Sequence, residues 1–273
     1  MKRPKLVATD LDGTVIRRDG TISSRTRAAL SMVEDAGSIV VFVTGRPPRW
    51  LHEVAEQTGH RGLAVCANGA LLYDLHNESV RASHLISAKA IRDVCEAVRQ
   101  KLPDVRFSVE RLTESVHEPQ YVMPWDSGMP WVRAAPIEEL YAEPAAKLLV
   151  HHAAMSPDEL LALARSAAGG LAEFTHSSRV GVVEVSALGV SKASGLARIC
   201  EERGISAADV VAFGDMPNDL AMLAWAGTAY AMANAHPDVL AAVDNIAPAV
   251  DDDGVAAVLE GLFAGAPDGG RTL

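Results

Sequence analysis

Short apolar runs alternate with helical patterns along the first third of the chain. Between two of these runs, apolar residues recur at helical spacing up to Asp35, where Ser23 or Ser24 can cap the helix and Gly37 can end it. The apolar runs lack period-two alternation, which is typical of strands buried on both faces of a sheet. They are Leu6–Thr9, Ile39–Val43 and Leu63–Cys66. Strands alternating with helices in this way predict a parallel sheet wrapped by helices.

The same order of patterns returns near the C-terminal end of the sequence. The predicted elements there are a helix over Ser191–Arg203, a strand over Val210–Phe213, a helix over Pro217–Ala226, a short strand around Tyr230 and a helix from about Val255 to Phe263. We therefore assign both ends of the chain, residues 1–81 and 188–273, to one α/β core.

The middle of the chain, residues 82–187, has a different pattern. A long helix through Ile91, Val94 and Val98 leads to a strand with period-two alternation over Val105–Val109. The later predicted elements are a strand over Lys147–His151, a helix over Pro157–Ala167 and a strand over Gly181–Val185. Strands of this kind, mixed with helices, predict an antiparallel sheet with one covered face. We interpret residues 82–187 as a second, α+β domain inserted into the first.

Composition and charge narrow the classes of function. Of the 273 residues, 49% are hydrophobic and 22% are charged, which permits a well-buried core. The formal net charge of −10 argues against nucleic acid and acidic membranes as partners, and it would repel a phosphorylated substrate unless cations are arranged locally. The three cysteines are far apart, and no apolar run suits a signal peptide or a bilayer span. We therefore expect a cytoplasmic protein.

Polar motifs follow the predicted parallel strands at the points where the strands end. Ligands of such sheets bind beyond the carboxyl ends of the strands, so we expect these motifs to meet at one edge. Lys192 stands at the start of the helix that precedes the later strand. The motifs are Asp10-Leu11-Asp12-Gly13-Thr14, Thr44-Gly45-Arg46 and Gly214-Asp215-Met216-Pro217-Asn218-Asp219.

This set of side chains suits phosphoryl transfer. Asp10 and Asp215 offer the oxygen ligands that Mg²⁺ prefers, and the metal would offset the repulsion between a carboxylate and a phosphate. Asp10 and Asp12 are two positions apart, so on an extended segment both can serve one reacting centre. Crowding raises the pKa of one carboxyl, which leaves one group to attack phosphorus and one to hold a proton. Lys192 and Thr44 would hold the transferring oxygens.

These motifs, in this order, resemble the four motifs of the haloacid dehalogenase superfamily. Three further motifs resemble its Cof-type branch, and they are Asn68-Gly69-Ala70, Asn234-Ala235 and Asp253-Gly254-Val255. The resemblance implies a Rossmann-like parallel-sheet core with a large α/β cap inserted between the second and third motifs. It also implies Mg²⁺-dependent hydrolysis of a small phosphorylated metabolite, such as a sugar phosphate, through an aspartyl-phosphate.

The resemblance implies a role for each residue of the nucleophile and metal site. Asp10 would be the nucleophile and a metal ligand. Asp12 would be the general acid and base, and its backbone carbonyl would bind the metal. Asp215 would be a further metal ligand, with Asn218 and Asp219 orienting the metal's waters or the lysine.

The resemblance also implies a phosphate and substrate site. Thr44 and Lys192 would bind the phosphoryl group. Arg46 could instead meet a cap carboxylate, or cover apolar surface with its stem. The remaining residues of the implied phosphate and substrate site are Gly45, Arg46, Asn68 and Asn218.

Several alternatives stay open at this level. Asp-x-Asp occurs in solvated turns and in glycosyltransferases, and a lysine such as Lys192 is more often a solvated surface residue. The same motifs would suit a phosphomutase or phosphotransferase, or a weakly active regulator that binds a metabolite. Residues 119–131 are rich in aromatics, and they predict a cap loop that stacks on a sugar or base, a surface for a partner, or a loop buried against the cap sheet. The sequence is compatible with a monomer or a homodimer.

Overall fold

Two β-sheets and the helices around them organise the residues that this computed structural model describes, 3–121 and 128–263. The strands in this part of the chain are β1 (Leu6–Thr9), β2 (Ile39–Val43), β3 (Leu63–Cys66), β4 (Leu71–Asp74), β5 (Ser79–Ser83), β6 (Arg106–Glu110), β7 (Ser115–His117), β8 (Val132–Ala134), β9 (Lys147–His151), β10 (Glu173–Thr175), β11 (Val182–Ser186), β12 (Val210–Gly214), β13 (Thr228–Met232) and β14 (Asn245–Ala247). The α-helices are α1 (Ser24–Asp35), α2 (His52–Thr58), α3 (Ala88–Lys101), α4 (Ile137–Leu140), α5 (Pro157–Ala168), α6 (Lys192–Arg203), α7 (Leu220–Trp225), α8 (Pro237–Ala242) and α9 (Gly254–Phe263).

The first sheet has eight strands in the order β14-β13-β12-β1-β2-β3-β4-β5. The six strands from β14 to β3 are parallel, whereas β4 and β5 are added in antiparallel orientation. The predicted parallel core is therefore confirmed. The hairpin of β4 and β5 is an addition that the sequence patterns did not predict.

Both faces of the first sheet are buried. Successive strand residues point to opposite faces, so Val7 packs in one apolar cluster and Ala8 in another. Helices α1, α2 and α9 cover the first face, and α6, α7 and α8 cover the second. This double burial explains why the strands read as continuous apolar runs.

The second sheet has six strands in the order β10-β11-β9-β6-β7-β8. Its pairings are antiparallel except for β7 with β8. Helices α3 and α5 cover one face, where Phe107, Leu148 and Val183 form a separate apolar cluster. The prediction of an α+β unit with a largely antiparallel sheet is confirmed, and the opposite face of this sheet contributes to the site described below.

Side-chain caps fix the helices that matter for the site. Ser23 accepts the backbone N–H of Thr26 at the start of α1, as predicted for Ser23 or Ser24. Ser191 caps α6 through the N–H of Ser194, so Lys192 is the first residue of that helix. The helix predicted over Pro217–Ala226 is shorter, because a turn of 3₁₀-helix precedes α7.

The division of the chain into a core of residues 1–81 and 188–273 and a cap of residues 82–187 stays a prediction. Strand β5 belongs to the first sheet and ends at Ser83. Within residues 3–121 and 128–263, no helix has the length and apolar character needed to cross a membrane.

Candidate active site

The loops after β1, β2 and β12 lie at one edge of the first sheet. The backbone N–H of Asp10 donates to the carbonyl oxygen of Phe213 at 3.0 Å, which continues the parallel pairing of β1 with β12. Since β12, β1 and β2 are neighbours, the segments that carry Asp10, Thr44 and Asp215 meet at their carboxyl ends. The structure therefore brings together the motifs that the sequence predicted to meet.

Lys192 joins these loops through its ammonium group. The side chain is fully buried, and Nζ donates to Oδ1 of Asp10 at 2.5 Å and to Oδ1 of Asp219 at 2.6 Å. The other oxygen of Asp219 accepts the backbone N–H groups of Asp215 and Met216 at 3.0 and 2.9 Å. Burial acts to lower the pKa of Lys192, but the attraction of the two carboxylates raises it. The reading of Lys192 as a solvated surface residue is therefore wrong.

Three buried carboxylates lie close enough to share one cation. One oxygen each of Asp10, Asp215 and Asp219 lies within 4.8 Å of the others. Burial raises the pKa of Asp10 to about 7, against the opposing attraction of Lys192. Burial, together with the charges of Asp10 and Asp219, raises the pKa of Asp215 to about 9. One ammonium does not offset three ionised carboxylates, so Asp10 and Asp215 tend to hold protons in the absence of a cation.

The donor set fits a hard divalent cation. The three side chains offer carboxylate oxygens, the ligands that Mg²⁺ takes in proteins. Both oxygens of Asp219 already accept hydrogen bonds, from Lys192 and from the backbone. Asp10 and Asp215 are therefore the residues that would hold Mg²⁺, and Asp219 fixes the groups around them.

Two glycines make room for the carboxylates. Gly13 has a φ of +81°, and a Cβ atom on it would lie 2.3 Å from Oδ2 of Asp215. A Cβ atom on Gly214 would lie 2.5 Å from Cβ of Asp219. Thr14 donates to Oδ1 of Asp215 at 3.3 Å from the same turn. Gly13 and Gly214 therefore allow the backbone to lie close to the carboxylates. Gly13 is also needed because its positive φ disfavours other residues.

Asp12 lies on the open side of the site and is paired with Arg46. Its side chain is 56% exposed, whereas that of Asp10 is 8% exposed. Nε and Nη2 of Arg46 donate to the two oxygens of Asp12 at 2.8 and 2.5 Å. The buried hydroxyl oxygen of Thr44 accepts the backbone N–H of Arg46 at 3.0 Å. Arg46 thus binds a carboxylate of the core, which the sequence analysis did not consider.

The second sheet contributes charged residues that the sequence analysis missed. Glu110 accepts from Nη1 of Arg49 at 2.6 Å, and Lys147 forms a buried ion pair with Glu184. Glu184 accepts from Nδ2 of Asn68 at 3.1 Å. The available signal was a charged residue inside an otherwise apolar strand, as in Val182–Ser186, because such residues are rarely buried without a partner.

A cavity of about 290 Å³ lies between the two sheets at this edge. Its walls combine the carboxylates and cations of the site with apolar side chains from both sheets. The residues that line it are Asp10, Asp12, Thr44, Gly45, Arg46, Pro47, Trp50, Glu110, Lys147, Leu149, Ser177, Ser178, Val182, Glu184, Met216 and Asn218. Asp10 and Asp12 therefore face one space, as their spacing predicted.

The aromatic segment is only partly within the described residues. Met123 and Trp125 lie outside them. Tyr121 is buried, and its ring lies 5.8 and 5.6 Å from those of His117 and His151. This packing agrees with the reading of a loop buried against the cap sheet. Among its described members, none lines the cavity.

A second group of potential metal ligands joins the two sheets elsewhere. Asp158 and His176 come from the α5 and β10 region, and His236 precedes α8. The carboxylate of Asp158 lies 2.8 Å from Nε2 of His176 and 3.4 Å from Nε2 of His236. These groups therefore serve as partners for one another.

A buried ammonium lies beside carboxylates that could hold a cation, at the edge where α/β enzymes bind their ligands. This arrangement suits an enzyme that acts on an anionic group. A family model of haloacid dehalogenase-like hydrolases matches residues 7–259. The chain therefore belongs to the haloacid dehalogenase-like hydrolase family.

Named relatives span nearly the whole chain. The 5-amino-6-(5-phospho-D-ribitylamino)uracil phosphatase YitU of Bacillus subtilis (strain 168) is 28% identical, over 96% of this chain and 98% of the relative. The pyridoxal phosphate phosphatase YbhA of Escherichia coli (strain K12) is 27% identical, over 87% of this chain and 90% of the relative. The crystal structure of SMU.1108c from Streptococcus mutans UA159 has the same fold, with a TM-score of 0.84 at 21% identity, over 96% of this chain and 99% of that one.

Proposed function

We propose that this protein is a Mg²⁺-dependent phosphatase that hydrolyses a small phosphorylated metabolite through an aspartyl-phosphate on Asp10. The observation that carries the proposal is the buried ammonium of Lys192, bonded to Asp10 and Asp219 beside Asp215, with Asp10 itself lining a cavity. A cation beside a carboxylate that can accept a metal is what an attack on an anionic phosphate requires.

Asp10 is the nucleophile in this proposal. Lys192 holds Oδ1, so Oδ2 attacks phosphorus and forms the aspartyl-phosphate as the bond from phosphorus to the leaving oxygen breaks. Asp12 faces the same cavity and gives a proton to that leaving oxygen. In the second step Asp12 takes a proton from water, whose oxygen attacks phosphorus and breaks the bond to Asp10.

Asp12 must be released from its bidentate pairing to hold a proton. Both of its oxygens accept from Arg46 in the structure described above. We infer that an anionic oxygen of the substrate replaces Asp12 as the hydrogen-bond partner of the Arg46 guanidinium, since Arg46 lines the same cavity. Thr44 and the backbone of Gly45 complete the phosphoryl-binding wall.

Asp10, Asp215 and the backbone carbonyl of Asp12 would hold Mg²⁺. When bound, the metal supplies positive charge that offsets the repulsion between the carboxylates and the phosphate. Lys192 adds a fixed positive charge through its hydrogen bond to Asp10, and Asp219 keeps the ammonium in place.

The second sheet selects the substrate in this proposal, and residues 82–187 act as the cap. Leu149 and Val182 give its side of the cavity an apolar part, and Glu110 and Lys147 give it a charged part. A cavity of about 290 Å³ suits a metabolite with one phosphate and a small organic group. Sugar phosphates, phosphorylated uracil derivatives and pyridoxal phosphate are therefore the first compounds to test.

A phosphate-release screen tests the proposal. We expect the protein with Mg²⁺ to release inorganic phosphate from members of this panel without a bisphosphate activator, which distinguishes a hydrolase from a phosphomutase. EDTA should stop release and added Mg²⁺ should restore it. Asp10→Asn should abolish turnover, whereas the exposed control Asp104→Asn should retain it. Full activity in EDTA, or appreciable turnover by Asp10→Asn, would contradict the mechanism.

A further inference from the structure

A chain of four buried polar side chains runs from the second sheet to the loop after β12. Lys147 and Glu184 lie on β9 and β11, and Asn68 and Asn218 lie in loops of the first sheet. Their exposed fractions are 6%, 5%, 2% and 6%. Burial of this many polar groups is costly unless each has a partner, so their hydrogen bonds determine how they are oriented.

The hydrogen bonds among these four side chains run from Lys147 through Glu184 and Asn68 to Asn218. Lys147 pairs with Oε1 of Glu184 and donates to the carbonyl oxygen of Gly45 at 2.9 Å. Oε2 of Glu184 accepts from Nδ2 of Asn68 at 3.1 Å. Oδ1 of Asn68 accepts from Nδ2 of Asn218 at 3.0 Å. Taken in order, these bonds connect the second sheet to the loop after β12.

The charge of Glu184 decides which way both amides face. Burial acts to raise the pKa of Glu184, but Lys147 and the hydrogen bonds from Asn68 and Ser177 outweigh it and lower the pKa. An ionised carboxylate only accepts, so Asn68 must present its NH₂ group to Glu184 and its oxygen to Asn218. Asn218 must then present its own NH₂ group to Asn68.

This orientation leaves the carbonyl oxygen of Asn218 as an unused acceptor. Oδ1 of Asn218 is buried and has no hydrogen-bond partner among residues 3–121 and 128–263. Asn218 lines the active cavity and is adjacent in sequence to Asp219, which holds Lys192. A buried acceptor that lacks a partner costs free energy, and it gains one when a donor enters the site.

Gly45 provides the space in which the chain is assembled. A Cβ atom on Gly45 would lie 3.2 Å from Oδ1 of Asn68, 3.3 Å from Oε1 of Glu184 and 3.7 Å from Nδ2 of Asn218. Gly45 directly follows Thr44, so the network packs against the phosphoryl-binding turn itself.

We propose that Lys147 and Glu184 are positioning residues which, through Asn68, fix the side chain of Asn218 with its carbonyl oxygen available to a donor of the loaded site. The inference rests on the proposed function, because it assigns Asn218 to the active site. If so, the second sheet has two roles. It forms one wall of the cavity, and it also orients a residue of the catalytic edge.

A double-mutant cycle tests this route. We expect Glu184→Gln to lower kcat by about tenfold or more with a change in KM of less than about threefold, since the substrate still binds. Because Glu184 acts through Asn218, adding Glu184→Gln to Asn218→Ala should lower kcat by less than about twofold further. Asn68→Ala, which leaves no charge unpaired, should behave in the same way and serves if Glu184→Gln does not fold.

Glu110→Gln is the matched control. Glu110 is also a buried carboxylate of the second sheet that lines the cavity and pairs with a cation, Arg49. Its ion pair is with Arg49, which lies outside the hydrogen bonds that lead to Asn218, so we expect its effect on kcat/KM to multiply with that of Asn218→Ala. Independent, multiplying effects for Glu184 and Asn218, or a rise in KM alone, would overturn the inference and assign Glu184 to substrate binding. Full activity of Asn218→Ala would also overturn it, whereas the proposed function fails separately, by turnover of Asp10→Asn.

Discussion

Replacing Asp215 by asparagine should raise the free energy of unfolding of the metal-free protein while it removes activity. The pKa of Asp215 is raised from 3.8 to about 9 by burial and by the charges of Asp10 and Asp219. A raised pKa means that the folded protein holds the proton more tightly than the unfolded chain. The stability from this group is therefore fully present below about pH 4 and is lost as the pH rises through about 9. Asparagine cannot ionise, and it keeps an oxygen that accepts from Thr14.

The magnitude follows from the pH interval. The unfolded chain releases this proton near pH 4, whereas folded Asp215 still holds it at pH 7. The interval between these two pH values is about three units. Each unit corresponds to about 1.4 kcal/mol, so the penalty at pH 7 is at most about 4 kcal/mol. We expect metal-free Asp215→Asn to exceed the wild-type free energy of unfolding by about 2–4 kcal/mol at pH 7, and by less than about 0.5 kcal/mol at pH 4.

Urea unfolding in EDTA at pH 4, 7 and 8.5 measures the difference in free energy of unfolding between Asp215→Asn and the wild type, from the midpoint and the slope of each transition. Asp104→Asn, on the exposed turn between α3 and β6, controls for the loss of one negative charge. Added Mg²⁺ should stabilise the wild type and not Asp215→Asn, which should also lack phosphatase activity. If Asp215→Asn is less stable than the wild type at pH 7 in EDTA, or if the difference is the same at pH 4, the reasoning about a desolvated Asp215 is wrong.

Three further changes test the parts around this cluster. Gly13→Ala should lower the free energy of unfolding by about 1–3 kcal/mol more than Gly20→Ala. Both glycines have φ near +80°, but only Gly13 lies against Asp215. Equal losses would contradict the close approach of Gly13 to Asp215. Lys192→Met should cost about 3–5 kcal/mol in urea unfolding and at least about 10²-fold in kcat, and retained turnover would show that its ammonium is dispensable. Exchange of residues 82–187 for the matching segment of a relative should change substrate preference in the phosphate-release screen, and a change of metal dependence instead would mean that the cap is misassigned.

Local chemistry made the core of the site predictable. Asp10 and Asp215 stand just beyond strands whose apolar character places them in a parallel sheet, and parallel strands share one edge for their carboxyl ends. Lys192 was placed by a capped helix start, which the sequence patterns located within one residue. Each of these inferences needs only a strand or helix end, so no knowledge of distant contacts was required.

The network of the second sheet was not predictable in this way. Lys147 and Glu184 lie 37 positions apart, and Glu184 and Asn68 lie 116 apart. Which antiparallel strands pair, and which of their faces meets the first sheet, depends on tertiary packing that a one-residue shift in register would reverse. The pairing of Arg46 with Asp12 was missed for a related reason, because a long side chain has several partners within reach of its loop.

In the proposed mechanism, the charges of the site also determine what must bind before phosphate can react. Asp10, Asp215 and Asp219 surround one ammonium in a chain whose net charge is −10, and charges interact more strongly in a buried site than in water. Without a cation, the ionised Asp10 that the proposed attack requires would repel the phosphate, and a protonated Asp10 could not attack. Burial raises the pKa of Asp10 to about 7, which favours the protonated carboxyl in the metal-free protein. A divalent cation relieves both effects, because it offsets the charge and favours the ionised carboxylate. Metal and substrate are therefore expected to bind with positive coupling, each raising the affinity for the other.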